Sequence, residues 1–253
     1  MGSQPARCLR DIAGLLNGVP GIAPLPGRCH LSAMCNRYRM TAKQAELAQR
    51  YGTEVPYPED LTFPPPELFP DKPAYVVRAE DGERRLDVMA WGFPHQIKGK
   101  SGRMIQKPVT NVRNLASPFW RSALAAPERR CLVPFTSFSE HGQVRAADGK
   151  LPCHWFDVPS RRIASFAGVW RPLGDGAAFA FLTCEPNSLV GPIHPKAMPV
   201  ILEDEAEERW LAGEPAEAFA CAYPSQLMAL DRAADPLPDE VAPVAPAEQP
   251  LLL

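Results

Sequence analysis

The sequence lacks any pair of cysteines spaced as Cys-x-x-Cys, the arrangement that binds structural zinc or carries out thiol–disulfide exchange. Its seven cysteines are an odd number, so they cannot all be paired in disulfides within the chain. A chain of 253 residues with 45% hydrophobic and 22% charged side chains can form a core without such cross-links. We therefore expect a globular protein of a reducing compartment, the cytoplasm, with no bound metal.

The sequence also lacks a run of eighteen apolar residues, so we expect neither a transmembrane helix nor a membrane partner. The mildly apolar segment 12–26 is interrupted repeatedly by Asn, Gly and Pro, which the helix of a secretory signal does not tolerate. We expect residues 1–33 to be a disordered leader outside the folded domain.

A strong overall charge is absent as well, since the net charge is −2. The distribution is uneven, because residues 95–130 contain eight Lys or Arg and one acid, whereas residues 203–253 contain twelve acids and two Arg. The basic stretch predicts a surface that binds a polyanion such as DNA, with a solvated basic loop as the alternative. The overlapping segment 94–110 has no periodic apolar face and is predicted to be a long loop, either functional or disordered.

Thirty prolines and seventeen glycines favour short strands and ordered turns over a helical bundle. Strands are predicted at the stretches rich in β-branched and aromatic residues, 74–78, 85–91, 130–138, 152–158, 162–170, 178–184 and 198–202. Helices are predicted at 42–51, 118–125 and 203–213 from their capping residues and acidic first turns. Because the strands outnumber the helices and do not alternate with them, we expect an α+β fold with a curved, barrel-like mixed β-sheet core and a few flanking short helices. This single domain would span 34–230, followed by a disordered acidic and Pro-rich tail, 231–253.

Five short segments occur in a fixed order, and each alone is a weak signal. They are Met34-Cys35-Asn36-Arg37-Tyr38, Trp91-Gly92-Phe93-Pro94, Thr110-Asn111-Val112-Arg113, Phe138-Ser139-Glu140-His141, and Ile193-His194 followed by Met198-Pro199-Val200-Ile201-Leu202. Taken together, they resemble the motifs of the SRAP family (SOS response-associated peptidase), the abasic-site processing proteins. The resemblance extends from about residue 34 to residue 230.

The resemblance implies that the initiator Met is removed and that Cys35 becomes the first residue of the mature chain. An N-terminal Cys carries an α-amine and a thiol that are both partly deprotonated near neutral pH. The amine can condense with the aldehyde of a ring-opened abasic site, and the thiolate can then close a thiazolidine ring. We therefore expect a sensor that cross-links covalently to abasic sites in single-stranded DNA in the DNA damage (SOS) response. Its chemistry would be lyase-like, with peptidase activity limited to self-processing.

Three further catalytic residues follow from the resemblance. Glu140 is the expected general acid and base, a role that needs a partly desolvated carboxyl, whereas an exposed loop acid is the alternative. His194 is expected to protonate a leaving hydroxyl or to bind a phosphate, with a structural histidine in a turn as the alternative. Asn111 is expected to orient Cys35, and a turn-forming Asn is the alternative.

Arg37, Arg39 and Arg113 are the candidate phosphate ligands, because a guanidinium group binds phosphate through two parallel hydrogen bonds. Trp91 and Phe93 are candidates for stacking on the bases beside the lesion. Core packing is the alternative for both aromatic residues, since each lies in a strand-like segment.

Two departures from the family pattern affect these predictions. Cys35 follows Met34 within a longer chain, and a peptide bond between them would convert the nucleophilic amine into an amide. We expect translation to begin at Met34, with proteolytic removal of the leader or a degenerate copy as alternatives. Lys196 stands in a longer spacer where the family has an Arg, and would supply a point charge without the bidentate fork. His141 stands where the family has an aromatic residue.

Two other functions remain open on the sequence. A thiol peptidase would use Cys35, His194 and Glu140 as nucleophile, base and orienting acid. A non-covalent module for single-stranded DNA would use the basic stretch alone. No cofactor is expected, because the sequence has no metal-ligand cluster and no phosphate-binding Gly-rich loop in a strand-to-helix context. The expected partner is single-stranded DNA containing abasic sites, and the resemblance suggests a monomer.

Overall fold

The computed structural model describes residues 36–57, 64–99, 101–146 and 149–231. The strands in this part of the chain are β1 (Tyr38–Arg39), β2 (Glu67–Leu68), β3 (Pro73–Glu80), β4 (Glu83–Trp91), β5 (Phe93–Lys98), β6 (Met104–Val109), β7 (Asn111–Val112), β8 (Arg130–Phe135), β9 (Ser137–His141), β10 (Cys153–Asp157), β11 (Ala164–Leu173), β12 (Gly176–Cys184), β13 (Met198–Pro199), β14 (Ile201–Leu202) and β15 (Ala229–Asp231). The α-helices are α1 (Gln44–Tyr51), α2 (Pro118–Ala125) and α3 (Asp204–Leu211). The predicted leader, Cys35 and the predicted tail beyond Asp231 lie outside the described residues.

Five strands close into a barrel. In order around it, β12 pairs with β4, β4 with β3, β3 with β8, β8 with β11, and β11 pairs again with β12. The pairing of β4 with β12 is parallel and the others are antiparallel, so the sheet is mixed. Because the barrel is closed, each of its strands has a hydrogen-bonded neighbour on both sides. The predicted α+β fold with a barrel-like mixed sheet and short helices is confirmed.

A second sheet is antiparallel and has the strand order β15-β10-β9-β1-β2. The predicted strand 130–138 is divided between the two sheets, because β8 belongs to the barrel and β9 to the second sheet. The single residue between them, Thr136, donates its N–H to the carbonyl of Arg39 (2.8 Å). The change of sheet at Thr136 carries Glu140 away from the barrel wall and beside β1.

An aromatic cluster fixes β1 against the barrel. The Tyr38 ring lies 5.0 Å from the Trp91 ring, 5.9 Å from Phe166 and 6.3 Å from Phe181, measured between centroids. All four side chains are fully buried, and burying an aromatic side chain of this size stabilises the fold by roughly 1.5–3 kcal/mol. The cluster therefore holds the chain that immediately follows Cys35 in a defined position.

The segment 94–110 differs from the prediction, because β5 and β6 form a two-stranded hairpin in place of a loop. The hairpin pairs its residues from Phe93 opposite Val109 to Lys98 opposite Met104. The antiparallel pairing satisfies its backbone groups, and only its base packs on the core, where Phe93 lies 5.1 Å from the ring of Trp120. The hairpin therefore needs no continuous apolar face.

The helices follow local capping rules. Helix α1 begins later than predicted, because the N–H of Lys43 donates to the Glu46 carboxylate (3.0 Å), and it ends at Gly52, whose φ is 66°. Helix α2 begins as predicted, with the Ser117 hydroxyl accepting from the N–H of Phe119. Among the described residues, no helix has the length and apolar character needed to cross a membrane.

Candidate active site

Glu140 is a buried acid on the core side of the second sheet. It lies two residues after Phe138 on β9, so the two side chains share a face, and Glu140 is only 2% exposed. Burial of this kind favours a neutral carboxyl, whereas a neighbouring cation or hydrogen-bond donor favours the carboxylate. A general acid and base requires a carboxyl that is shielded from water, and the buried position of Glu140 meets this requirement. The alternative, an exposed loop acid, is excluded.

His194 approaches Glu140 from the segment that joins β12 to β13. Its Nδ1 lies 2.8 Å from the carbonyl oxygen of Ala197 and 3.8 Å from Oε2 of Glu140. A carbonyl oxygen only accepts, so Nδ1 carries the hydrogen of this bond, and in the neutral ring Nε2 is the basic atom. The contact with Glu140 is too long for a hydrogen bond and becomes an ion pair when the ring is protonated. The structure thus brings two of the predicted catalytic residues together.

Cys35 lies outside the described residues, but the chain that follows it is described. The carbonyl of Arg37 accepts hydrogen bonds from the N–H of Ser139 (3.0 Å) and from its hydroxyl (3.3 Å). Ser139 is the residue before Glu140 on β9. Two residues after Cys35, the chain is therefore fixed to the strand that carries Glu140.

Asn111 is buried on β7, where it pairs in parallel with Phe181 of β12. Its Nδ2 donates to the hydroxyl of Thr110 (3.0 Å). This hydrogen bond fixes the orientation of the amide, which is what a positioning residue requires. The predicted contact between Asn111 and Cys35 remains a prediction.

Arg37 and Arg39 lie on the outer face of the second sheet, and both bind Glu67. The Nε atoms of Arg37 and Arg39 donate to the two carboxylate oxygens of Glu67 at 2.8 Å and 3.3 Å. Partial burial acts to raise the pKa of the Glu67 carboxyl, but the hydrogen bonds and charges of the two arginines hold it below its ordinary value. The Arg39 guanidinium also lies 3.7 Å from the centroid of the Trp155 ring. A phosphate group at these arginines has to compete with Glu67.

The other two candidate cations are Arg113 and Lys196. Arg113 follows β7 and forms an ion pair with Glu185, an exposed acid. Lys196 is exposed, two residues after His194. Arg113 and Lys196 therefore lie on the segments that carry Asn111 and His194.

Trp91 and Phe93 do not fit the predicted role of stacking on DNA bases. Trp91 is 0% exposed and packs nearly parallel to Phe181, and Phe93 is equally buried against α2. A ring without exposed surface has no face to offer a base, so core packing is the correct alternative. Trp91 supports the site indirectly, because its Nε1–H reaches the carbonyl of Thr110 (3.4 Å), next to Asn111.

The hairpin β5–β6 is a basic element that leads directly into the segment carrying Asn111. It carries cations and no acid between His95 and Lys107, and it follows Trp91-Gly92 directly and leads into Thr110-Asn111. Near its tip, Met104 is 59% exposed and Ile105 is 48% exposed. Charge and exposed apolar side chains together are typical of a nucleic-acid contact surface.

Two histidines beside Glu140 have no role in the sequence prediction. His154 is buried on β10, directly opposite Glu140 in the strand register, and His141 follows Glu140 on the other face of β9. Burial lowers the pKa of the His141 imidazole, and the charges of Arg37 and His194 act in the same direction. The alternation of the predicted strand 152–158 could have placed His154 on the buried face, but it could not have identified its neighbour. In the described part of the chain, no group of three or more His, Cys, Asp or Glu side chains is arranged to bind a metal ion.

Comparisons with known proteins agree with this architecture. The family model described as SOS response associated peptidase (SRAP) matches residues 34–236. The chain is 26% identical over 186 residues to the abasic site processing protein YoqW of Bacillus subtilis (strain 168), covering 70% of this chain and 80% of the relative. A protein of the same name from Bacillus phage SPbeta matches equally well.

Two solved structures share the fold. One is a protein from Bacteroides thetaiotaomicron with a TM-score of 0.61 and 22% identity, covering 78% of this chain and 90% of that one. The other is a protein from Bordetella bronchiseptica with a TM-score of 0.60 and 21% identity, covering 78% of this chain and 98% of that one. At this level of identity, the structural similarity bears on the fold alone.

Proposed function

The chain belongs to the SOS response associated peptidase (SRAP) family, and we propose that it captures abasic sites in single-stranded DNA covalently through the α-amine and thiol of Cys35. The observation that carries the proposal is the pairing of a buried acid, Glu140, with His194 at 3.8 Å, on the strand that binds the chain next to Cys35. The name of the Bacillus relatives, abasic site processing protein, agrees with this substrate.

The reaction proceeds without oxidation or reduction. The α-amine adds to the aldehyde carbon of the ring-opened sugar, and loss of one water gives an imine. The thiol then adds across the C=N bond, with sulfur bonding to carbon and the proton passing to nitrogen, which closes a five-membered thiazolidine ring. The product is a protein–DNA cross-link that contains all the atoms of both partners less one water.

Glu140 and His194 supply the proton transfers. As a carboxylate, Glu140 takes the proton of the anomeric sugar hydroxyl and passes it to the ring oxygen as the ring C–O bond breaks. It then takes the proton that the amine loses and gives it to the hydroxyl that leaves as water. Because Nδ1 of His194 is engaged with the carbonyl of Ala197, its exchangeable site in the neutral ring is Nε2. Asn111, fixed by Thr110, orients the nucleophile.

The mechanism requires Cys35 to be the first residue of the working chain. An amide nitrogen bonded to Met34 has no available lone pair for attack on the aldehyde. We propose that translation starts at Met34 and that the Met is removed, with proteolysis of residues 1–34 as the alternative route to the same chain. The family model begins to match at residue 34, which supports this start.

The DNA backbone would lie across the hairpin β5–β6 and the neighbouring cations Arg113 and Lys196. These groups flank the segments that carry Asn111 and His194, so phosphates bound to them would place the lesion near Glu140. Arg37 and Arg39 bind the DNA backbone only where a phosphate displaces the Glu67 carboxylate from their guanidinium groups.

The test uses chains that begin at Met34 and at Met1, incubated with a single-stranded oligonucleotide that contains one abasic site. We expect a product that survives denaturing electrophoresis with the Met34 chain, and none with an intact oligonucleotide. A Cys35→Ser chain keeps the amine but lacks the thiol, so its imine should survive only after borohydride reduction. Equal yield of the stable product from Cys35→Ala would contradict the proposal.

A second candidate function is thiol peptidase activity. The contact between Glu140 and His194 would also suit an orienting acid and a base beside a Cys35 nucleophile. Release of residues 1–34 from the full chain in purified protein, abolished by Cys35→Ala, would support self-processing. If the protein instead binds intact and abasic oligonucleotides equally and only at low salt, it is a non-covalent DNA-binding module.

A further inference from the structure

Glu140 has a second imidazole neighbour besides His194. His154, on β10, is the direct register partner of Glu140 on β9, and its side chain is 3% exposed. Partners in an antiparallel pair point to the same face, with Cβ atoms about 4.5–5.5 Å apart. The ring of His154 and the carboxyl of Glu140 therefore share the buried face of the second sheet.

A glycine provides the space for this ring. A β-carbon at Gly142 would lie 3.2 Å from Nε2 of His154 and 2.9 Å from Cγ of Pro152. Gly142 is two residues after Glu140, so it occupies the next position of the chain on the same face. Because residue 142 has no side chain, the imidazole can lie over β9, on the face that carries the Glu140 side chain.

The other titratable groups near Glu140 differ from His154 in position. His194 reaches Glu140 from the segment before β13, and its Nδ1–H is engaged with the carbonyl of Ala197. His141 follows Glu140 on its own strand and therefore points to the opposite face. From β1, Arg37 also lies on the opposite face, where it binds Glu67. His154 is thus the ring that β10 places beside the carboxyl.

We propose that His154 is a positioning residue that orients the Glu140 carboxyl and sets the pH range in which it works. This inference rests on the proposed function, because Glu140 is there the general acid and base. A buried carboxylate is stable only beside a donor or a cation, and an imidazole supplies an N–H donor when neutral and a charge when protonated. Both forms favour the carboxylate, so removal of His154 shifts the titration of Glu140 to higher pH.

The experiment compares adduct formation by the chain that begins at Met34 and its His154→Phe and His154→Gln variants, in single-turnover reactions between pH 5 and 9. His154→Phe should lower the rate at neutral pH by about tenfold and move the acid-side midpoint of the profile up by about one pH unit. His154→Gln keeps a hydrogen-bond donor and should recover most of the rate. His141→Gln, on the opposite face of β9, is the matched control and should leave the midpoint unchanged.

A measurement without DNA separates this inference from the proposed function. The side-chain carboxyl resonance of Glu140 is titrated by NMR in the parent chain and in His154→Phe, after thermal unfolding has shown that both are folded. A midpoint about one pH unit higher in the variant supports the positioning role, even if no adduct forms and the proposed function fails. An unchanged midpoint overturns the inference and leaves the adduct chemistry intact.

Discussion

Replacing Glu140 with Gln removes a proton-transfer group while keeping the shape of the side chain. Glu140 is buried, so water cannot easily replace its carboxyl as the proton donor and acceptor. A positioned general acid and base contributes about 10²- to 10⁴-fold, which corresponds to a barrier increase of roughly 2.7–5.4 kcal/mol. We therefore expect Glu140→Gln to slow adduct formation by at least about a hundredfold at neutral pH.

The assay measures single-turnover cross-linking of an abasic oligonucleotide on denaturing gels, with the protein in excess. Glu208→Gln is the matched control, because Glu208 is 77% exposed on α3 and forms only a surface ion pair with Arg84. The control should react like the parent chain, with a free energy of unfolding within about 0.5 kcal/mol of it. Glu140→Gln should lose no more than about 3 kcal/mol of this free energy, because the buried amide keeps the shape but not every partner of the carboxyl. A Glu140→Gln protein that is folded and reacts within threefold of the parent would refute the role of Glu140.

Other perturbations test the DNA surface, the core and the ion pairs. Replacing Lys98 and Lys107 of the hairpin with Ala should reduce the slope of log affinity for DNA against log salt concentration by about 2. The control Arg162→Ala should leave this slope unchanged. An unaltered slope in the double variant would show that the hairpin does not contact DNA. Trp91→Ala should lower the free energy of unfolding by about 3–5 kcal/mol in urea titrations, because Trp91 is fully buried. A variant that keeps its stability but loses affinity for DNA would instead support stacking of Trp91 on a base. The folded-state pKa of Glu67 is lowered, so its ion pairs stabilise the protein fully above the ordinary value of 4.5 and are lost as pH falls through the lower folded value. Glu67→Gln should therefore reduce the decrease in unfolding free energy over this acid range. An identical decrease in the parent chain and in the variant would contradict the ion pairs of Glu67.

The fold class follows from the sequence because local patterns carry it. Short β-branched and aromatic stretches bounded by Gly and Pro predict strands, and most of the strands occur where they were expected. The parallel pairing of β4 with β12 was not predictable, because it joins segments that are far apart in the chain and depends on barrel closure. The hairpin was missed because its strands have no apolar face.

The candidate site could be predicted only in part. The resemblance identified Glu140 and His194, but their contact depends on the change of sheet at Thr136 and on the hydrogen bond that fixes His194. Trp91 was ambiguous, since an aromatic residue in a strand suits both a core and a stacking surface. His154 carried no motif, and its position beside Glu140 follows only from the strand register.

The most direct test of the central claim is the intact mass of the product formed between an abasic single-stranded oligonucleotide and a chain whose first residue is Cys35. The proposed mechanism predicts a single adduct whose mass equals protein plus oligonucleotide less one water. This adduct is stable without reduction and is abolished when the α-amine is acetylated. A stable adduct formed in equal yield by the acetylated chain, or by one that retains Met34, would contradict it.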